Sequence, residues 1–139
     1  MLHASAEVPF DQPDHVLWSQ LGDFAQPAWI KGVRTFEVTG AGIGASRTLW
    51  FDDGAQAVEV LAELGPRHHG YTMPDEVALP VRAYRARLEV VPSGEGCVVR
   101  WEAWFEPDGM HPGALVRHLS QLFEVSLVSV KRRLAGGLP

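Results

Sequence analysis

From Val33 to Phe105 the chain alternates apolar and polar residues with a period of two, and this run constrains the fold more than any other feature of the sequence. Successive side chains of a strand point to opposite faces, so residues 33–40, 45–51, 55–64, 67–73, 81–91 and 97–105 read as six β-strands. The separators "AGIG", "DDG", "GP", "PDEVALP" and "PSGEG" are rich in turn-forming residues. Connections this short join antiparallel neighbours, because a parallel crossover needs about a dozen residues or more.

The flanks differ in period. "HASAEVPF" (residues 3–10) reads as an opening strand. In the following "DQPDHVLWSQLGDFAQPAWI", Val16, Leu17, Gln20 and Leu21 have helical spacing. Asp11 or Asp14 can cap that helix, Pro13 suits its first turn and Gly22 stops it, leaving "DFAQPAWI" room for one further turn. At the other end Val116, Leu119, Phe123, Leu127, Val130 and Leu134 trace one face of a long helix, which Gly136 and Gly137 end. Leu115, Leu122, Val125 and Val128 widen its apolar side, as expected of a helix laid across a sheet. The sum is an α+β architecture over residues 1–139, read as one domain, with a twisted sheet curling around the final helix.

Charge narrows the partners. A net charge of -5 with scattered basic residues lacks the basic face that nucleic acid requires. Lys131, Arg132 and Arg133 do cluster, but in the last turn of a helix, where they complement its dipole. The single cysteine, Cys97, rules out an internal disulfide and falls on an alternating strand as a small packed residue. The first residues carry neither a basic n-region nor a long apolar run, and no window reaches the roughly 18 apolar residues of a membrane span, so a cytoplasmic location is expected.

The turn "Asp52-Asp53-Gly54" fixes one register. A three-residue hairpin loop ending in a left-handed glycine pairs Phe51 with Ala55, Leu49 with Ala57 and Arg47 with Glu59. Two opposite charges thereby become cross-strand neighbours on the face that also holds Phe51 and Leu61. Both faces of the hairpin carry apolar residues, so alternation alone leaves open whether the pair is exposed or buried.

Taken together, "DFAQPAWIKGV", "GAGIGASRTLWFDDGAQAVEVLAEL", "HGYTM", "LPVRAYRARLEV" and "GCVVRWEAWFEPDG", followed by the long helix, resemble the START-like superfamily. Within it the chain looks most like the bacterial polyketide cyclase/dehydrase group, the SRPBCC proteins. The likeness rests on Trp29, on Gly42, Gly44, Arg47 and Thr48, and on Glu59 and Tyr71. Leu79, Pro80, Val81 and Tyr84, then Val99, Trp101, Ala103, Phe105 and Pro107, complete it. It implies a helix-grip fold: a seven-stranded antiparallel sheet wrapped around the C-terminal helix, with two short helices after the first strand. It also implies a cavity between sheet and helix, lined by the Arg47/Glu59 face. The family usually reads "D-x-x-R-x-L-S-Y" before the tyrosine, where this chain has "GPRHHGY", with Gly65 for the aspartate and His69 at an inward position.

On that reading His69, Tyr71, Glu59 and Arg47 gather in one polar cluster. As a binding site, Arg47 would clamp a carboxylate or phenolate of a small hydrophobic ligand, between the walls Trp29, Trp101, Tyr84 and Phe105. Leu49, Leu61, Leu119 and Phe123 would complete the lining. As a cofactor-independent cyclase or dehydratase, His69 would accept a proton, Arg47 would stabilise an enolate and Glu59 would orient Arg47. One scaffold hosts cyclases, carriers, receptors and co-chaperones, so fold alone does not choose, and a protein-interaction role stands as a third reading. A strand histidine is more often a satisfied side chain than a base, and aromatic residues are more often core than pocket.

Nothing in the pattern calls for a metal. His68 and His69 point to opposite faces, and His111 and His118 are not at i, i+4 spacing. "GAGIG" joins two strands and opens no helix, so it lacks the logic of a phosphate cradle. Trp50 and Trp104 are the candidates for an apolar surface that would pair two copies of the chain.

Overall fold

The computed structural model describes residues 1–74, 81–109 and 111–136. Most of the "PDEVALP" separator, with Leu79 and Pro80, and Gly137 lie outside the described residues. Seven strands, β1 (Leu2–Phe10), β2 (Val33–Thr39), β3 (Ser46–Phe51), β4 (Gln56–Leu64), β5 (His68–Thr72), β6 (Val81–Ser93) and β7 (Gly96–Pro107), form one antiparallel sheet. Its order is β1-β7-β6-β5-β4-β3-β2, so each pair from β2 to β7 is a hairpin and β1 adds to the free side of β7. The long helix α2 (Pro112–Leu134) packs on the inner face, giving the helix-grip architecture.

Between β1 and β2 lie helix α1 (Asp14–Leu21) and a single 3-10 turn (Pro27–Trp29), so only the first of the two expected short helices is an α-helix. Pro13 occupies the N-cap rather than the first turn, so no side chain caps the helix from that position. Asp14 accepts from Arg67 Nε at 2.9 Å, tying the start of α1 to the approach of β5. Gly22 follows α1 because the Trp18 ring and the Trp18 carbonyl lie where a Cβ would project. That close approach brings the Gly22 carbonyl to the inner face of β5.

Helix α2 buries Leu115, Leu119, Phe123, Leu127 and Val130, as its spacing predicts. Val125 is a correction: it is 42% exposed, because it projects from the outer side of the helix. The buried position beside it belongs to Ser126. Phe123 stacks on Trp101 of β7 with ring centroids 4.2 Å apart, a contact of the size that anchors a helix to a sheet. Lys131 donates from Nζ to the Pro9 carbonyl at 2.6 Å and Arg133 to Gln20 at 3.2 Å, so this basic cluster fastens the helix end to β1 and α1. Among the described residues no helix is long and apolar enough to cross a membrane.

Besides a register shift between Val33 and Thr35 in the β2–β3 pair, two bulges lie in the strands that carry the site. One interrupts the β4–β5 register between Leu61 and Glu63, the other the β6–β7 register between Arg82 and Arg85. At the second, Ala83 takes φ 52°, and the extra residue lets Val81 and Tyr84 both face inward although they are three apart.

Candidate functional site

The β3–β4 hairpin closes as its sequence dictates. Gly54 takes φ 90°, Asp53 Oδ1 accepts from the Ala55 N–H at 2.9 Å, and the Phe51 N–H donates to the Ala55 carbonyl at 2.9 Å. Arg47 thereby pairs with Glu59 and Leu49 with Ala57. The two charges face inward: Arg47 is 2% exposed and Glu59 4%. Arg47 Nε donates to Glu59 Oε1 at 2.7 Å, and Nη1 donates to the Phe24 carbonyl at 2.9 Å. The guanidinium lies 4.1 Å from the Phe24 ring centroid and 5.1 Å from that of Tyr71, so aromatic faces cover it.

Next to the pair stands a row of aromatic groups from β5, β6 and β7. Trp101 Nε1–H donates to the Tyr71 hydroxyl at 3.1 Å, and the Tyr71 and Tyr84 hydroxyls are hydrogen-bonded to each other. Burial, reinforced by the Glu59 charge, raises the pKa of Tyr71 far above the ordinary phenol range. Burial and the neighbouring Tyr71 do the same for Tyr84, so both phenols are neutral at neutral pH.

His69 lies in the same layer and turns away from the pair. Its Nδ1 stands 3.2 Å from the Gly22 carbonyl, and since a carbonyl only accepts, Nδ1 carries the proton. Trp18, Phe24 and Tyr71 surround the ring at centroid distances of 5.8, 5.9 and 6.3 Å. Burial first, then the Arg47 charge, pushes its pKa down to about 4. At neutral pH it is an uncharged donor to α1.

Between this layer and α2 lies a cavity of about 260 Å³. Glu59, Tyr71, Tyr84 and Trp101 form its inner end. Leu49, Leu119 and Phe123 supply apolar wall, together with Ile30, Ala57 and Met73, which the sequence reading did not single out. The register identifies Ala57 as the partner of Leu49 on the inner face, and Met73 follows Tyr71 at period two, so both carried a signal. Lys31, Gln56 and His118 are exposed and mark the mouth, beside the Asp52-Asp53 turn; nothing in their spacing pointed there.

Five of the expected lining residues stand elsewhere. Arg47 is behind Glu59, and His69 is under α1. Leu61 is buried in the core, Phe105 stacks against the Tyr84 ring at 6.0 Å, and Trp29 packs against Trp101 at 5.1 Å. Arg47, His69, Leu61 and Phe105 are buried and Trp29 is half-buried, and none of the five lines the open space.

One segment borders the mouth on two sides. The Lys31 N–H donates to Ser126 Oγ of α2 at 2.9 Å, while the Gly32 carbonyl accepts from the Asp52 N–H at 2.8 Å. Ser126 is fully buried and its hydroxyl donates to the Leu122 carbonyl at 2.7 Å, so one oxygen links helix and strap. Among the described residues no group of three or more His, Cys, Asp or Glu is placed to hold a metal ion. Cys97 is buried, and burial raises its thiol pKa.

Comparison with known proteins agrees with this architecture. Residues 1–135 match the family described as polyketide cyclase / dehydrase and lipid transport. Among curated proteins no sequence match is found. A solution structure from Thermobifida fusca is 31% identical, with TM-score 0.77 over 96% of this chain and 93% of that one. The protein XoxI from Bacillus cereus superposes with TM-score 0.87 at 19% identity, over 96% and 95% of the two chains. The di-domain ARO/CYC BexL of the BE-7585A biosynthetic pathway gives TM-score 0.77 at 17% identity, over 97% of this chain and 47% of that chain. The likenesses at 19% and 17% carry the fold alone.

Proposed function

The chain belongs to the polyketide cyclase/dehydrase and lipid transport family, and on that premise we propose that it binds a small hydrophobic molecule in the cavity between sheet and α2. The observation that carries this reading is the cavity itself: an apolar space with a few convergent polar groups at its closed end and exposed residues at its mouth. Ligand sites have that composition, and about 260 Å³ falls just below the usual range for drug-sized ligands, so the occupant is compact.

A second reading, cofactor-independent cyclisation or dehydration in the same cavity, has one observation in its favour. Glu59 is a carboxylate on the buried wall, close to two neutral phenols, and such a set can accept and return a proton. His69 does not serve this chemistry, being held to Gly22 and away from the open space. Turnover would require Glu59, whereas binding of an apolar molecule would survive Glu59→Gln.

The test is a fluorescence titration with the neutral probe N-phenyl-1-naphthylamine, comparing the wild type with Ala57→Phe. Ala57 is buried on the cavity wall, and a phenyl group there fills the space. The expected result is saturable binding that weakens at least tenfold in the variant while far-ultraviolet circular dichroism is unchanged. Equal affinity in both proteins, or no saturable binding in either, would overturn the proposal.

A further inference from the structure

We infer that the inner end of the cavity selects a neutral hydrogen-bond donor, an alcohol or phenol hydroxyl, and rejects a carboxylate. This deepens the proposed function and rests on it. The order in which the charges stand decides this selectivity. Arg47 is the cation of the site, but its Nε is given to Glu59, its Nη1 to the Phe24 carbonyl, and its faces to Phe24 and Tyr71. Of the pair, Glu59, whose side chain ends in an acceptor, lines the open space and Arg47 does not; Tyr71 lines it too. A ligand anion at this inner end meets the like charge of Glu59, and Arg47, the cation behind it, is already paired with that carboxylate. A ligand cation is desolvated within reach of Arg47, one residue behind the wall. A neutral hydroxyl meets neither penalty and finds a charged acceptor whose own charge is already balanced.

The apolar wall fits the same ligand. Trp101, Tyr84 and Phe123 present aromatic surface, and Leu49, Met73 and Leu119 aliphatic surface, so the body of the molecule is apolar and its donor lies at one end. At the mouth Lys31 and His118 are exposed, whereas Glu59 is buried, so they meet the outer end of the ligand and not its donor.

Three probes of one shape separate the possibilities: 2-naphthol, 2-methylnaphthalene and 2-naphthoate, titrated at pH 7, where the naphthol is neutral and the carboxylate is charged. The expected order is 2-naphthol tightest, 2-methylnaphthalene about tenfold weaker, and 2-naphthoate weaker still. In Glu59→Gln, whose amide oxygen can still accept from Arg47, the advantage of 2-naphthol over 2-methylnaphthalene falls to about threefold or less. That ratio is taken within one protein, so a loss of stability common to both probes cancels. Binding of 2-naphthoate as tight as that of 2-naphthol would overturn the inference and leave the cavity reading standing. Failure of all three probes to bind would overturn the cavity reading and the inference with it.

Discussion

Glu59 accepts from Arg47 Nε through Oε1 at 2.7 Å, and of the two residues Glu59 lines the cavity while Arg47 does not. The pair is thus a balanced unit with its acceptor side toward the ligand. Removing one member leaves a buried charge uncompensated, which costs about 3–5 kcal/mol, whereas replacing both by apolar residues of similar volume is often close to neutral. Arg47→Met is therefore expected to lose about 3–5 kcal/mol, and Arg47→Met/Glu59→Leu to recover most of it. Urea denaturation of the two single variants and the double variant measures the coupling; additive losses would contradict this account.

The pH dependence of stability follows from His69. Its pKa is about 4 in the folded chain against 6.5 as an ordinary histidine, so the unfolded chain binds a proton there before the native one does. The stabilisation is fully present above pH 6.5 and is lost as pH falls toward 4, by about 3 kcal/mol over that window. Asp14, whose pKa is lowered by its bond to Arg67, adds to acid sensitivity only below that window, under its ordinary 3.8. His69→Asn keeps an amide that can donate to Gly22 and removes the titration. Its urea midpoint is expected to change much less between pH 7 and pH 4.5 than that of the wild type.

Ser126 predicts a link between stability and ligand exchange. Its hydroxyl accepts from the Lys31 N–H and donates to the Leu122 carbonyl, so Ser126→Ala leaves the Lys31 N–H without its partner on α2. The expected cost is about 1–2 kcal/mol. Amide hydrogen exchange at Lys31 should quicken, and dissociation of N-phenyl-1-naphthylamine, followed by stopped flow, should quicken with it. A slower exchange at Lys31 than in the wild type would contradict the role of the strap.

Much of this was written in the sequence, and the remainder was not for physical reasons. The "Asp52-Asp53-Gly54" turn fixes its own geometry, so it set the Arg47–Glu59 register, and alternation placed His69 and Tyr71 on one face. Alternation gives the side of a sheet and not the depth. Leu61 and Phe105 share the inner side with Glu59, yet neither lines the open space; Phe105 packs against Tyr84, which does. The cover over Arg47 comes from Phe24, 23 residues earlier in a segment without periodicity, and such a contact has no local signature. The bulge at Ala83 was equally silent, because neither glycine nor proline marks it.

That bulge yields the last prediction. Ala83 holds φ 52°, a region where a Cβ crowds the following carbonyl at a cost of about 1–2 kcal/mol, and it does so to bring Tyr84 inward. Glycine relieves the crowding but adds freedom to the unfolded chain, which takes back about 0.4–1 kcal/mol. Ala83→Gly is therefore expected to stabilise the protein by up to about 1 kcal/mol, and Ala83→Val, with a branched Cβ at the same φ, to destabilise it. Thermal denaturation of both variants checks the sign. In Ala83→Gly the Tyr84 ring keeps its place, so the affinity for N-phenyl-1-naphthylamine should stay within about twofold of the wild type; a larger loss would mean that the alanine methyl, and not the bulge, holds Tyr84 in the wall.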